Sequence, residues 1–162
     1  MIAFTDITFA HEKGRPVLRG ATGRAPKGAL TILAGRNGAG KSTLLALAAG
    51  ILTPEAGTVR VGDLVSPGDE DGIRRAVRLV LQDPDMQILG ATVGEDLTLS
   101  GDPRDSRFLD VARAAARRMG LLDLWEAPVH TLSFGQRRKL CLAAALVHAP
   151  EDAPPQALLL DE

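Results

Sequence analysis

Apolar residues recur along this chain in two rhythms, one suited to strands and one to helices. Near the start, Ile2, Phe4, Ile7 and Phe9 are separated by polar residues, which predicts a strand broken near Asp6. Gly14, Arg15 and Pro16 read as a turn. Leu30, Thr31, Ile32, Leu33 and Ala34 form a compact apolar run entering a glycine-rich segment, the pattern of a buried strand. Residues 41–49 then read as a helix, with Gly50 as its C-cap and Pro54 beyond it. Residues 57–62 alternate as a short strand between glycines, and residues 77–81 form another strand ending at Gln82.

From about residue 92 to residue 127 the rhythm becomes helical. Phe108, Val111, Ala112, Ala115 and Met119 fall at three- and four-residue steps and mark one apolar face. Ser133 suits the N-cap of a second helix running through Val147. A loop over residues 150–155 precedes Leu158, Leu159 and Leu160, a buried strand delivering Asp161 and Glu162. Strands alternating with helices predict an α/β fold with a helical insertion near residues 92–132. Neither an internal repeat nor a low-complexity segment interrupts it.

Composition narrows the classes without choosing one. The 162 residues amount to one domain, and 45% hydrophobic with 24% charged residues is ordinary for a globular protein. A net charge of -1 supplies no field for DNA, RNA or anionic lipid, so no nucleic-acid partner is expected. The basic clusters Arg117-Arg118 and Arg137-Arg138-Lys139 read as solvated helix faces. Cys141, the single cysteine, excludes an internal disulfide and sits in an apolar run as a small core residue. The longest apolar run, residues 44–52, falls well short of the roughly 18 residues of a membrane span. The first residues show no basic region ahead of an apolar one, so a cytoplasmic protein is expected.

Two motifs carry chemistry. Gly35-Arg36-Asn37-Gly38-Ala39-Gly40-Lys41-Ser42 fits the phosphate-binding pattern G-x-x-x-x-G-K-[ST], between a predicted strand and a predicted helix. Its glycines let backbone N–H groups turn inward, and the helix N-terminus adds positive potential for phosphate. Lys41 should reach the β- and γ-phosphates, and the Ser42 hydroxyl should bind Mg²⁺. The alternative is a glycine-rich turn with an exposed lysine; the fixed positions recur by chance in roughly one such chain in a hundred. Far downstream, Asp161 and Glu162 end an apolar run. Alone they read as a solvated acidic end; beside a phosphate loop, Asp161 should hold Mg²⁺ and Glu162 should orient and deprotonate the attacking water.

Leu132-Ser133-Phe134-Gly135-Gln136 lies between them, followed by a basic helix. The phosphate loop through Thr43, Gln82 after a strand, this pentapeptide and the terminal Leu-Leu-Leu-Asp-Glu stand in the order of an ABC-type ATPase, which the whole chain resembles. The segment from Val80 to Gln87, followed by Thr92-Val93-Gly94-Glu95-Asp96, is similar to the cobalt and energy-coupling-factor importer ATPases. The resemblance implies a P-loop NTPase core with a small N-terminal β-subdomain, an inserted helical subdomain, and ATP and Mg²⁺ as cofactors. Gly35, Asn37, Gly38, Gly40, Lys41, Ser42 and Thr43 would hold nucleotide; Ser42, Gln82 and Asp161 would hold Mg²⁺; Gln82 and Glu162 would serve catalysis.

It further implies two such domains packed head to tail, as a homodimer or heterodimer. Leu132, Ser133, Phe134, Gly135 and Gln136 of each would then act on the ATP held by the other. Phe134 replaces the commoner glycine, a change importer ATPases tolerate. Gln82 would relay site occupancy to transmembrane subunits, placing the protein on the inner face of the membrane. His11 stands where an adenine-stacking aromatic is usual; an exposed turn histidine is an equal reading. His130 and His148 precede the Asp161-Glu162 pair, unlike the family's switch histidine, and read as structural or exposed.

Two features depart from the family. Residues 151–155 look like a small insertion with no functional account. The sequence also stops after Glu162, where family members continue into a further helix, strand and switch histidine. The expectation is therefore a fragment of a longer ATPase or the product of a truncated gene, lacking the C-terminal part of the core. Two other readings stay open: a nucleotide-binding or dimerisation module without turnover, and a fragment of a soluble ABC protein. Small-molecule kinases share the phosphate loop but have no use for the pentapeptide.

Overall fold

The computed structural model describes residues 1–147 and 154–161. They form two compact units, Met1–Leu79 with Asp161, and Val80–Leu160. In the first unit a long hairpin, β1 (Ile2–Glu12) and β2 (Arg15–Ala25), joins β3 (Ala56–Val61) and β4 (Leu64–Ser66) in an antiparallel sheet of order β2-β1-β3-β4. The expected break at Asp6 is a register irregularity: Phe4 faces Val59, Thr5 faces Thr58, and the ladder resumes with Thr8 opposite Ala56. Asp6 adopts a positive φ of 51°, and Thr22 holds it by accepting from its backbone N–H at 3.0 Å and donating to its carboxylate at 3.2 Å. Gly57 is required opposite this kink, because a Cβ there would come within 2.3 Å of the Thr5 carbonyl oxygen.

Helix α1 (Lys41–Ala48) belongs to the same unit. Its Leu47 is fully buried with Ile7, Phe9, Leu18 and Val59, and Leu44 and Leu52 flank the cluster. Each such buried aliphatic side chain contributes about 1.5–3 kcal/mol, so the sheet and the helix stabilise each other. Ala49 caps α1, one place before the predicted cap Gly50, which follows at φ 69°. Helix α2 (Glu70–Ala76) follows β4, with Ile73 buried. The Glu70 carboxylate accepts from the Ser66 and Thr53 hydroxyls and the Gly68 N–H, fixing the entry to the helix. Strand β5 (Val77–Val80) completes this stretch.

The second unit is mainly helical. Its core joins Val93 and Leu97 of α3 (Val93–Thr98), Phe108, Ala112 and Ala115 of α4 (Ser106–Arg118), and Leu140 and Ala143 of α5 (Phe134–Leu146). The predicted apolar face of α4 is thus the buried one, with Val111 and Met119 packed at its margin. Thr92 and Glu95 form a capping box at the start of α3. Strand β6 (Ala157–Leu160) leads to Asp161. Among the described residues no helix is long and apolar enough to cross a membrane.

Three expectations are corrected. Residues 30–34 form no strand; Leu30 is 93% and Ile32 82% exposed. A strand is stable only where its edges find hydrogen-bonding partners, and no strand pairs with this run among the described residues. Residues 158–160 do form a strand, but not a buried one: Leu158 and Leu160 are exposed while Leu159 is half-buried. The cluster 137–139 is not simply solvated, since Arg137 is half-buried and ion-paired with Asp85. The 150–155 loop and the 151–155 insertion lie largely outside the described residues, as do His148 and Glu162.

Candidate functional site

The glycine-rich loop runs from residue 35 into α1. Gly38 and Gly40 take φ values of 79° and 89°, a region only glycine enters without strain. The Ala39 N–H closes a turn on the Arg36 carbonyl at 3.1 Å, and Leu44 N–H bonds the Gly40 carbonyl at 2.9 Å, so the helix starts at Lys41. Gly40 gives α1 no side-chain cap, and no acid stands in the first turn. The first N–H groups therefore keep their positive end for an outside anion. A Cβ on Gly40 would also meet Leu18 Cδ2 at 2.9 Å, which ties the loop's shape to β2.

Lys41 Nζ folds back over the loop and donates to the carbonyls of Gly35 at 2.9 Å and Arg36 at 3.1 Å. The Ser42 hydroxyl donates to Asp161 Oδ1 at 3.0 Å. Two of the three residues assigned to Mg²⁺ from the sequence, Ser42 and Asp161, are thus brought together inside one compact unit, whereas Gln82 belongs to the other. His11 Nε2 lies 3.1 Å from the Thr43 hydroxyl, and its ring meets Phe9 edge-on with centroids 5.0 Å apart. His11 is exposed and Thr43 is buried, so the histidine covers the side chain just inside the loop. Asn37 is exposed on the loop.

The pentapeptide lies in the second unit. Leu132 is buried and anchors it. Ser133 caps α5 by accepting from the Gln136 N–H at 3.2 Å, and Gln136 Oε1 accepts from the Ser133 N–H at 2.7 Å. Phe134 is exposed, with the Arg138 guanidinium 5.8 Å from its ring centre, and nothing approaches the Cβ position of Gly135. The exposed residues 133–135 thus present the positive end of a 13-residue helix. Gln82 is exposed just after β5. His130 is exposed, as read.

Two positioning groups were not expected from the sequence. Asp96 is buried in α3 and accepts from the N–H groups of Leu89 and Gly90 at 2.8 and 2.9 Å, pinning the loop after Gln82. Arg137 donates to the Leu132 carbonyl at 2.8 Å and stands beside Asp85. Their type and position, an acid in a helix's first turn and a base just past the pentapeptide, were the only available signals. Cys141 is buried, and burial, with a smaller push from the Asp96 charge, raises its thiol from 9.0 to about 11.

The family described as ABC transporter matches residues 18–162. The chain is 37% identical to the cobalt import ATP-binding protein CbiO of Rhodobacter capsulatus, over all of this chain and 58% of that one. It is 30% identical to the energy-coupling factor transporter ATP-binding protein EcfA of Carboxydothermus hydrogenoformans, over 93% of this chain and 57% of that one. The structure of cbiO1 from Clostridium perfringens, part of the ABC transporter complex cbiONQ, superposes with a TM-score of 0.83 at 29% identity. That match covers 99% of this chain and 64% of its counterpart. The chain thus spans somewhat over half the length of the curated relatives it matches. With the phosphate loop, the capped pentapeptide and the α/β fold all in agreement, this chain belongs to the ABC transporter family.

Proposed function

We propose that the chain is the ATP-binding and ATP-hydrolysing part of a subunit that energises a membrane importer for transition-metal ions or vitamins. The observation that carries this reading is the Ser42–Asp161 contact at 3.0 Å beside the uncapped start of α1. A hydroxyl and a carboxylate are hard oxygen donors suited to Mg²⁺, which keeps several of its own waters and needs few protein ligands. Mg²⁺, when bound with ATP, neutralises charge on the phosphates.

The chain's own groups then have distinct roles. The first N–H groups of α1 and the loop glycines bind phosphate oxygens, and Lys41 exchanges its two carbonyl partners for the β- and γ-phosphates. His11 offers a ring to the base, Thr43 joins the loop in holding the nucleotide, and Gln82 would stand at the metal and report its occupancy. Glu162 takes the proton of the attacking water. Residues 132–136 act on the nucleotide of a second, head-to-tail domain, and residues 92–132 form the inserted helical subdomain. Transmembrane subunits hold the assembly at the inner face of the membrane. The likeness to proteins named for cobalt import and energy coupling supports the importer assignment.

Mg-ATP turnover by the protein as its own cell makes it tests this reading, with Glu162→Gln as control. Retained nucleotide binding with lost turnover is expected. Absence of Mg-ATP turnover would overturn the hydrolytic assignment, and turnover undiminished by Glu162→Gln would remove Glu162 as the base.

A further inference from the structure

Arg137 follows the pentapeptide directly, and its guanidinium holds two segments at once. Nη1 donates to the Leu132 carbonyl at 2.8 Å, and the backbone N–H donates to the Ser133 carbonyl at 2.9 Å. Nε stands 3.1 Å from Asp85 Oδ1. Asp85 belongs to the 3₁₀ turn Pro84–Met86, in the loop that follows Gln82. The arginine is largely enclosed, with a side chain 22% exposed against 68% for Asp85. Its Nε is buried and makes no hydrogen bond among the described residues: the charges are close, but the N–H is not aimed at the carboxylate. A buried donor left in this state raises the free energy, and a small shift of the turn would complete a charge-assisted bond.

We propose that Arg137 is a positioning residue, a strut through which the turn at Pro84–Met86 sets the orientation of the pentapeptide. The proposal rests on the ATPase reading for its consequence in catalysis. The far end of the same loop is fixed, because Asp96 holds the Leu89 and Gly90 N–H groups. Its neck is closed by the Leu81 N–H donating to Gln87 Oε1 at 2.9 Å. A displacement beginning at Gln82 is therefore delivered to Asp85 and, through Arg137, to the carbonyl just ahead of the α5 N-cap. Only a rigid fork can hydrogen-bond the Leu132 carbonyl through one nitrogen while holding another beside Asp85; a lysine at this position would keep the charge and reach one of them.

The test uses the protein as its cell makes it, assembled with its membrane partners. Arg137→Lys should lower kcat about tenfold, the loss expected for a charged hydrogen bond, while nucleotide affinity of the separated subunit stays within about twofold. Asp85→Asn should reproduce this, and the double variant should be no worse than either single one. Hydrogen exchange supplies a readout that needs no turnover: Asp85→Asn should speed exchange at residues 133–137 and leave Lys41–Ala48 unchanged. Unaltered exchange at residues 133–137, additive losses, or affinity falling in step with kcat would each overturn the strut. A wild type without turnover would sink the ATPase reading alone, and the exchange result would still decide the role of Arg137.

Discussion

The Ser42 hydroxyl donates to Asp161 Oδ1 at 3.0 Å across a separation of 119 positions. Two residues that meet this way, one at the start of a helix and one at the end of a strand, would share a single donor set on the proposed reading. Ser42→Ala should lower Mg-dependent turnover about a hundredfold, in line with the removal of one group that stabilises developing charge. Asp161→Asn keeps an acceptor for the hydroxyl but removes the charge, and it should be at least as damaging. Binding of ATP without Mg²⁺, measured by titration calorimetry, should change little in both. Equal losses with and without Mg²⁺ would argue against a shared metal role.

Gly40 and Gly38 make a controlled pair. Both have positive φ, but only at Gly40 would a Cβ meet neighbours, Leu18 Cδ2 at 2.9 Å and Val17 Cγ1 at 3.1 Å. Gly38→Ala should cost about 1 kcal/mol from the backbone alone, and Gly40→Ala clearly more. Thermal unfolding compares them directly; matched melting temperatures would mean that β2 does not support the loop.

Helix α5 should depend on its reciprocal cap. Ser133→Ala removes the acceptor for the Gln136 N–H and should destabilise the protein by about 1 kcal/mol, whereas Ser133→Thr should restore most of that. Urea midpoints at constant slope would measure both.

Cys141 gives a pH prediction. Its thiol is raised from 9.0 to about 11, first by burial and then by Asp96, so the folded state favours the neutral form. The associated stability is complete below pH 9 and is lost as pH rises towards 11. Cys141→Ser should flatten the pH dependence over that window. A disulfide-exchange reagent at pH 8 should react with the unfolded chain far faster than with the native one.

What the sequence revealed followed from how local each signal is. The α4 face, the cap at Ser133 and the glycine-rich turn into α1 are set by residues a few positions apart, and all three stand where they were read. Residues 30–34 were misread because an apolar run states only a preference for burial; the strand needs partners that the run itself does not encode. Strand β2 escaped notice because Arg19, Gly20, Gly23 and Arg24 obscure any alternation; its pairing with β1 defines it. Asp96 and Arg137 were overlooked for the same reason: each acts on a backbone group of another segment, and side-chain type alone does not identify which.

Lys41, spread across the Gly35 and Arg36 carbonyls, makes the loop its own first occupant. On the proposed reading, an incoming triphosphate would evict an internal tenant rather than fill a vacancy, so measured affinity would be the difference between two sets of bonds. A ligand too short to reach the ammonium leaves that tenant seated. On the proposed reading, discrimination by phosphate-chain length would follow from this resting geometry.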